Sequence, residues 1–167
     1  MPQQGATTTL SDAEKISNLL FAYAEAIDER DLDALRQLFA DAVVHLVGGR
    51  EWRGERAGGE PDQPLPWKPA SPRLHPRATK HLVTNVRIEL DDAGDTAASW
   101  SYFTVLHATP TLSLQVVMAG RYHDTFHRRE GTWRFATRRY VIDLVGDAGE
   151  LLELDDDAVA ALRAHPG

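Results

Sequence analysis

Two periodicities divide this chain and do not mix. Before Phe39 the apolar residues recur every three or four positions, whereas from His81 to Val145 they alternate. Ile16, Leu19, Leu20, Tyr23 and Ile27 mark one amphipathic helix from about Asp12 to Glu29. Ser11 and Glu14 open it as a capping box, in which each side chain satisfies the other residue's backbone N–H. Asp31 caps a shorter second helix carrying Leu32, Leu35, Leu38 and Phe39, and "AVVHLV" then reads as a strand. Further on, "HLVTNVRIEL" predicts a strand with Leu82, Thr84, Val86, Ile88 and Leu90 on one face and His81, Val83 and Asn85 on the other. "TAASWSYFTVLHA" and "TLSLQVVMAGRYHDTFHR" predict two long strands, the second with a bulge at Gly120, and "REGTW" turns the chain into a last strand, "TWRFATRRYVIDLV". Helices first and strands afterwards specify an α+β fold rather than an alternating α/β one. The expected form is a strongly curved antiparallel sheet wrapped around the N-terminal helices and enclosing a pocket.

At 167 residues the chain has the length of one domain. Its boundaries are expected at 11–145, with Met1–Leu10 a flexible arm and 146–167 a tail that includes a short helix. Inside the domain, Gly48–Pro76 is rich in proline and in glycine pairs. A connection of that length is expected to act as a lid over the pocket, with Trp52 and Trp67 as substrate-binding side chains. The net charge of −7 argues against a nucleic-acid partner, which requires a basic surface. Without cysteine there is no disulfide, no thiolate nucleophile and no zinc–thiolate site. No apolar run is long enough to span a membrane and no leader is evident, so a cytoplasmic protein acting on a small molecule is expected.

His81 stands where a strand begins and where Val, Ile or Thr would pair better, so it invites a search for a partner. The chain has no HExxH, no GxSxG, no GxxxxGK[ST] and no GxGxxG. Neither a metal nor an organic cofactor is expected. What remains is acid–base chemistry by carboxylate, imidazole and phenol. Asp28 lies at the edge of the first helix's apolar face, near a C-terminus whose dipole disfavours an acid. His107 ends a long strand, and Tyr23 and Tyr102 can each supply a phenol.

The segments "LLFAYAEAIDERDLDALRQLFADAVV", "ATKHLVTNVRIEL" and "GRYHDTFHRREGTWRFATRR" together resemble the SnoaL-like branch of the nuclear transport factor two-like superfamily, over about Ser11 to Asp143. That branch contains scytalone dehydratase, hexachlorocyclohexane dehydrochlorinase and bile acid dehydratases. The resemblance is sharpest at the helix-one aspartate, the histidine after the loop, and the hairpin Glu130-Gly131-Thr132-Trp133. It implies a cone-shaped α+β barrel in which Asp28 hydrogen-bonds His81, which acts as general base in one tautomer, and in which His107 assists the leaving group. Two tyrosines of scytalone dehydratase are replaced here by Ile27 and Val47, which argues against scytalone itself as substrate. The expected activity is that of a cofactor-free lyase, dehydratase-like, on a small apolar substrate. An isomerase or polyketide cyclase of the same fold is the alternative, as is a non-catalytic ligand-binding or dioxygenase small-subunit-like protein. The strands "TAASWSYFTVLHA" and "TLSLQVVMAGRYHD" are apolar on both faces, so a homo-oligomer is expected; the resemblance favours a trimer over a dimer.

Overall fold

In the computed structural model, described over residues 9–46, 49–61, 63–66, 79–108 and 113–146, two helices precede six strands. These are α1 (Asp12–Glu29), α2 (Leu32–Leu38), β1 (Val43–His45), β2 (Glu51–Arg53), β3 (Thr79–Leu90), β4 (Thr96–His107), β5 (Gln115–Arg129) and β6 (Thr132–Val145). The capping box forms: Ser11 Oγ accepts from the Glu14 N–H at 3.3 Å, and the Glu14 carboxylate accepts from the Ser11 N–H at 2.7 Å. Arg30, at φ 58°, ends the helix in the left-handed conformation, and Asp31 caps α2 through the Ala34 N–H.

The strands lie in the order β2-β1-β6-β5-β4-β3. The expectation of a purely antiparallel sheet is corrected at one seam, where β1 runs parallel to β6 with Val43 opposite Thr137. The sheet is therefore mixed, and it is curved and unclosed, with β2 and β3 as its edges. Helix α1 packs against both β3 and β6, which stand three strand spacings apart, roughly 14 Å in a flat sheet. One helix reaches both because the sheet bends around it. Ile16, Leu20, Phe39, Val44, Val117, Phe126 and Phe135 are fully buried between the layers, each worth about 1.5–3 kcal/mol in area removed from water.

Alternation along β3 changes phase at a bulge. Asn85 has φ 52°, the pairing with β4 slips between Thr84 and Arg87, and the inward set becomes Thr79, His81, Val83, Val86 and Ile88. The expected single face from Leu82 to Leu90 is thus split: Leu82 and Thr84 point outward with exposed Lys80, and His81 turns toward the core. Irregularity does occur at Gly120, but the extra residue sits on β6, between Ile142 and Leu144. A Cβ at Gly120 would lie 2.1 Å from the Val141 carbonyl oxygen and 2.9 Å from the Phe103 ring, so glycine is required by close approach. At the β5–β6 hairpin Glu130 and Gly131 both have positive φ, as a two-residue turn of the type that matches strand twist demands.

The first part of the long connection is an edge strand and its packed return, not a free lid. β2 pairs with β1, a 3-10 turn follows at Glu55–Ala57, and the Trp52 indole N–H donates to the Pro64 carbonyl at 3.1 Å. Trp67, Val47, the arm before Thr9 and the tail after Gly146 lie outside the described residues.

Candidate active site

Asp28 occupies the last turn of α1 with its side chain only 4% exposed. A carboxylate there faces the negative end of the helix dipole and loses water as well, so it needs donors. β3 supplies them. The Thr79 hydroxyl donates to Oδ1 at 3.1 Å, the His81 backbone N–H donates to Oδ2 at 3.0 Å, and His81 Nδ1 lies 2.7 Å from Oδ1. Lys80 Nζ stands 3.6 Å from Oδ2. Burial pushes the Asp28 carboxyl upward, but the hydrogen bonds from His81 and Thr79 outweigh it and hold the pKa below the usual carboxylate range. An ionised carboxylate can only accept, so Nδ1 carries the hydrogen, and in the neutral ring the lone pair then belongs to Nε2. The ring is thereby fixed in the tautomer a base requires, its far nitrogen turned from Asp28.

The expected Asp28–His81 contact is therefore present in the geometry. His107 is brought close to it: His107 is opposite Thr79 in the β3–β4 register, buried, on the same inward face. Tyr23, one helical turn and a half before Asp28, sets its ring edge-on to His81 with centroids 6.4 Å apart. Tyr102 is not brought there. It alternates with buried Ser101 and Phe103, points from the outer face of β4 and is 52% exposed, so the expectation of a substrate-binding role is corrected by the phase of the strand. Trp52 is buried in β2 at the edge of the sheet opposite β3, as a core residue. Ile27 packs against the core.

Four further residues complete the interior, and sequence reasoning missed them. Arg138 and Asp124 are both wholly buried and form a two-pronged ion pair, Nε to Oδ1 at 2.9 Å and Nη2 to Oδ2 at 2.8 Å. The guanidinium lies 4.2 Å from the Tyr23 ring centroid and 4.3 Å from that of Tyr122, with Phe135 at 4.8 Å. Burial works against the Arg138 cation, and the facing Asp124 outweighs it, keeping arginine protonated above its ordinary range. Tyr140 donates its hydroxyl hydrogen to the Tyr23 oxygen at 3.2 Å. Burial also raises the pKa of Tyr23, which stays a phenol and hence a donor. The i, i+2 spacings of Tyr122 with Asp124 and of Arg138 with Tyr140 gain meaning only from the antiparallel register, which sets tyrosine opposite tyrosine and acid opposite base.

A cleft of about 510 Å³ opens elsewhere, between α1, α2 and the start of β6, lined by Leu19, Ala22, Ala26, Leu38 and Trp133. Neither Asp28 nor His81 borders it. Among the described residues no group of three or more His, Asp or Glu is arranged to hold a metal ion, and no helix is long and apolar enough to cross a membrane.

Solved structures share the fold at low identity. A protein of unknown function from Mycobacterium tuberculosis is 23% identical over 92% of this chain and 85% of its own, with a TM-score of 0.61. A candidate scytalone dehydratase from Novosphingobium aromaticivorans is 20% identical over 81% and 87%, with a TM-score of 0.61. Hexachlorocyclohexane dehydrochlorinase from Novosphingobium barchaimii is 20% identical over 80% and 88%, with a TM-score of 0.59. Among curated proteins no sequence relative is found at a significant level. The SnoaL-like domain family model matches residues 8–139, most of the chain. Helices, curved sheet and family match agree: this chain belongs to the SnoaL-like domain family of the nuclear transport factor two-like superfamily.

Proposed function

We propose that the protein is a lyase of the dehydratase type, in which His81 Nε2 removes a proton from carbon beside a carbonyl of a small, largely apolar substrate. The observation that carries this reading is the 2.7 Å contact of His81 Nδ1 with an Asp28 carboxylate that is also held by two further donors from β3, the Thr79 hydroxyl and the His81 backbone N–H. A binding protein gains nothing from an oriented imidazole backed by a buried acid; a base gains both tautomer and a counter-charge for the imidazolium it becomes. Tyr23, protonated and beside His81, donates to the carbonyl oxygen as negative charge develops there. His107 protonates the departing hydroxyl, so that water leaves and a double bond remains. The names of two structural neighbours, a candidate scytalone dehydratase and a dehydrochlorinase, support elimination as the reaction class.

Proton removal is detectable before the substrate is known. A panel of β-hydroxy ketones and related apolar carbonyl compounds, incubated in heavy water, is followed by mass spectrometry for deuterium at the acidic carbon and for loss of water. The wild type exchanges and eliminates with at least one member, and His81→Ala lowers both by about 10²–10⁴-fold with little change in thermal unfolding. Exchange without loss of water transfers the assignment to an isomerase or cyclase. Binding of a panel member with no exchange at all would sink the catalytic reading.

A further inference from the structure

The surface around Asp41 gathers positive charge in a chain whose net charge is −7. Asp41 follows α2, and its side chain is 5% exposed. Arg56, from the 3-10 turn, grips Oδ2 through Nε at 3.0 Å and Nη2 at 2.5 Å. Arg129 and Arg134, from the two arms of the β5–β6 hairpin, each reach to 3.7 Å of the same carboxylate. Three guanidinium groups thus converge on one acid. Glu55, beside Arg56, offsets part of the surplus. Neither the Arg129 nor the Arg134 side chain makes a hydrogen bond among the described residues beyond its 3.7 Å ion pair with Asp41, so their planar forks have donors to offer.

The strand register makes the arrangement costlier. His127 is directly opposite Arg134, and Arg129 lies two residues along the same face from His127. Bases opposite one another across a strand pair repel when charged, so the grouping is not explained by sheet stability. Burial, with Arg129 next, depresses the His127 pKa, and its buried Nε2 has no hydrogen-bond partner among the described residues. Two guanidinium groups therefore stand 3.7 Å from a single carboxylate, and His127 adjoins them in the strand register, directly opposite Arg134.

We propose that Arg56, Arg129, Arg134 and His127 form a site for a phosphate group, free or carried on a small organic molecule, apart from the Asp28–His81 pair. A planar carboxylate satisfies one or two guanidinium forks, whereas a tetrahedral phosphate presents oxygens in enough directions for three.

Inorganic phosphate is the first probe. It is titrated into the full-length protein by calorimetry, with chloride holding ionic strength constant, while the histidine ring signals are followed by NMR. Saturable binding that moves the His127 ring signals and leaves those of His81 in place is expected. Arg129→Ala and Arg134→Ala each weaken binding about ten- to hundredfold, as loss of a charge-assisted hydrogen bond does. Arg87→Ala, an exposed arginine elsewhere on the sheet, leaves it unchanged. Thermal unfolding without phosphate keeps these variants comparable, and the exposed Arg129 stands alone as the test if Arg134→Ala fails to fold. Tighter binding of phenyl phosphate than of phosphate assigns the site to an organic phosphate; equal binding assigns it to the free ion. The proposal is overturned by no saturable binding, by equal affinity for acetate, by phosphate shifts at His81 instead of His127, or by undiminished affinity in the Arg129 variant.

Discussion

At the scale of single residues, Asp28 ties stability to pH with a definite sign. Its carboxyl titrates lower in the folded chain than the ordinary 3.8, because His81 and Thr79 bond its charged form. A depressed folded pKa gives stabilisation that is fully present above the unfolded value and is lost as pH falls through the folded one. Urea unfolding of wild type and Asp28→Asn is therefore expected to show a gap at about pH 6 that narrows toward about pH 3, and a constant gap would count against the ionised pair. Arg138 makes a second case. Removing the guanidinium with Arg138→Leu leaves Asp124 buried and unpaired, at a cost of about 3–5 kcal/mol. Adding Asp124→Leu to the same chain recovers most of that loss, which a double-mutant cycle by denaturant unfolding reads directly. Neither partner was legible in the sequence. "RYHD" and "TRRY" are dense in polar residues and look like solvated faces, and only the register that pairs Asp124 with Arg138 makes them interior. The Asp28–His81 contact spans 53 residues, so spacing alone cannot reveal it; the family resemblance singled out both positions.

At the scale of elements, the helix starts were legible because capping chemistry is local: Ser11 and Glu14 start α1, and Asp31 starts α2, whereas Phe39, expected within α2, is its C-cap. Strand phase was not, because a bulge adds one residue and shifts every side chain after it to the other face. Asn85 is that residue on β3, and it sits in the left-handed region that asparagine tolerates. Asn85→Val is expected to lose roughly 1–2 kcal/mol by thermal unfolding, since a branched side chain clashes there, whereas Asn85→Gly stays near wild type. If valine proves harmless at position 85, the bulge does not hold the phase of β3. β2 escaped notice for another reason. Its three residues lie among glycines and prolines, and what fixes them is pairing to β1 and the burial of Trp52, neither of which leaves a periodic trace.

At the scale of the whole molecule, the outer face of the sheet carries an apolar row: Leu82, Thr104, Ala119 and Leu144 stand side by side across four strands, with Tyr102 and Val116 exposed nearby. Isolated exposed apolar residues need no explanation, but a contiguous row of them usually meets a partner. We propose that the partner is a second copy in a closed ring, three subunits by family likeness. Light scattering at low micromolar concentration is expected to give a trimer mass, and Leu82→Lys with Leu144→Lys to shift it toward the monomer; a monomeric wild type would remove the claim. The parallel seam between β1 and β6 has an effect that concerns time. Val43 emerges from the ribosome almost a hundred residues before Thr137, its partner in that seam, a wait of roughly 5–20 s at ordinary rates of synthesis. Until then the β1–β2 ribbon has no sheet to join, and α1 lacks one of the two strands it packs on. The nascent chain must keep Leu20, Tyr23 and Phe39 from wrong contacts for that interval, and it can complete its core only when its last strand has left the tunnel.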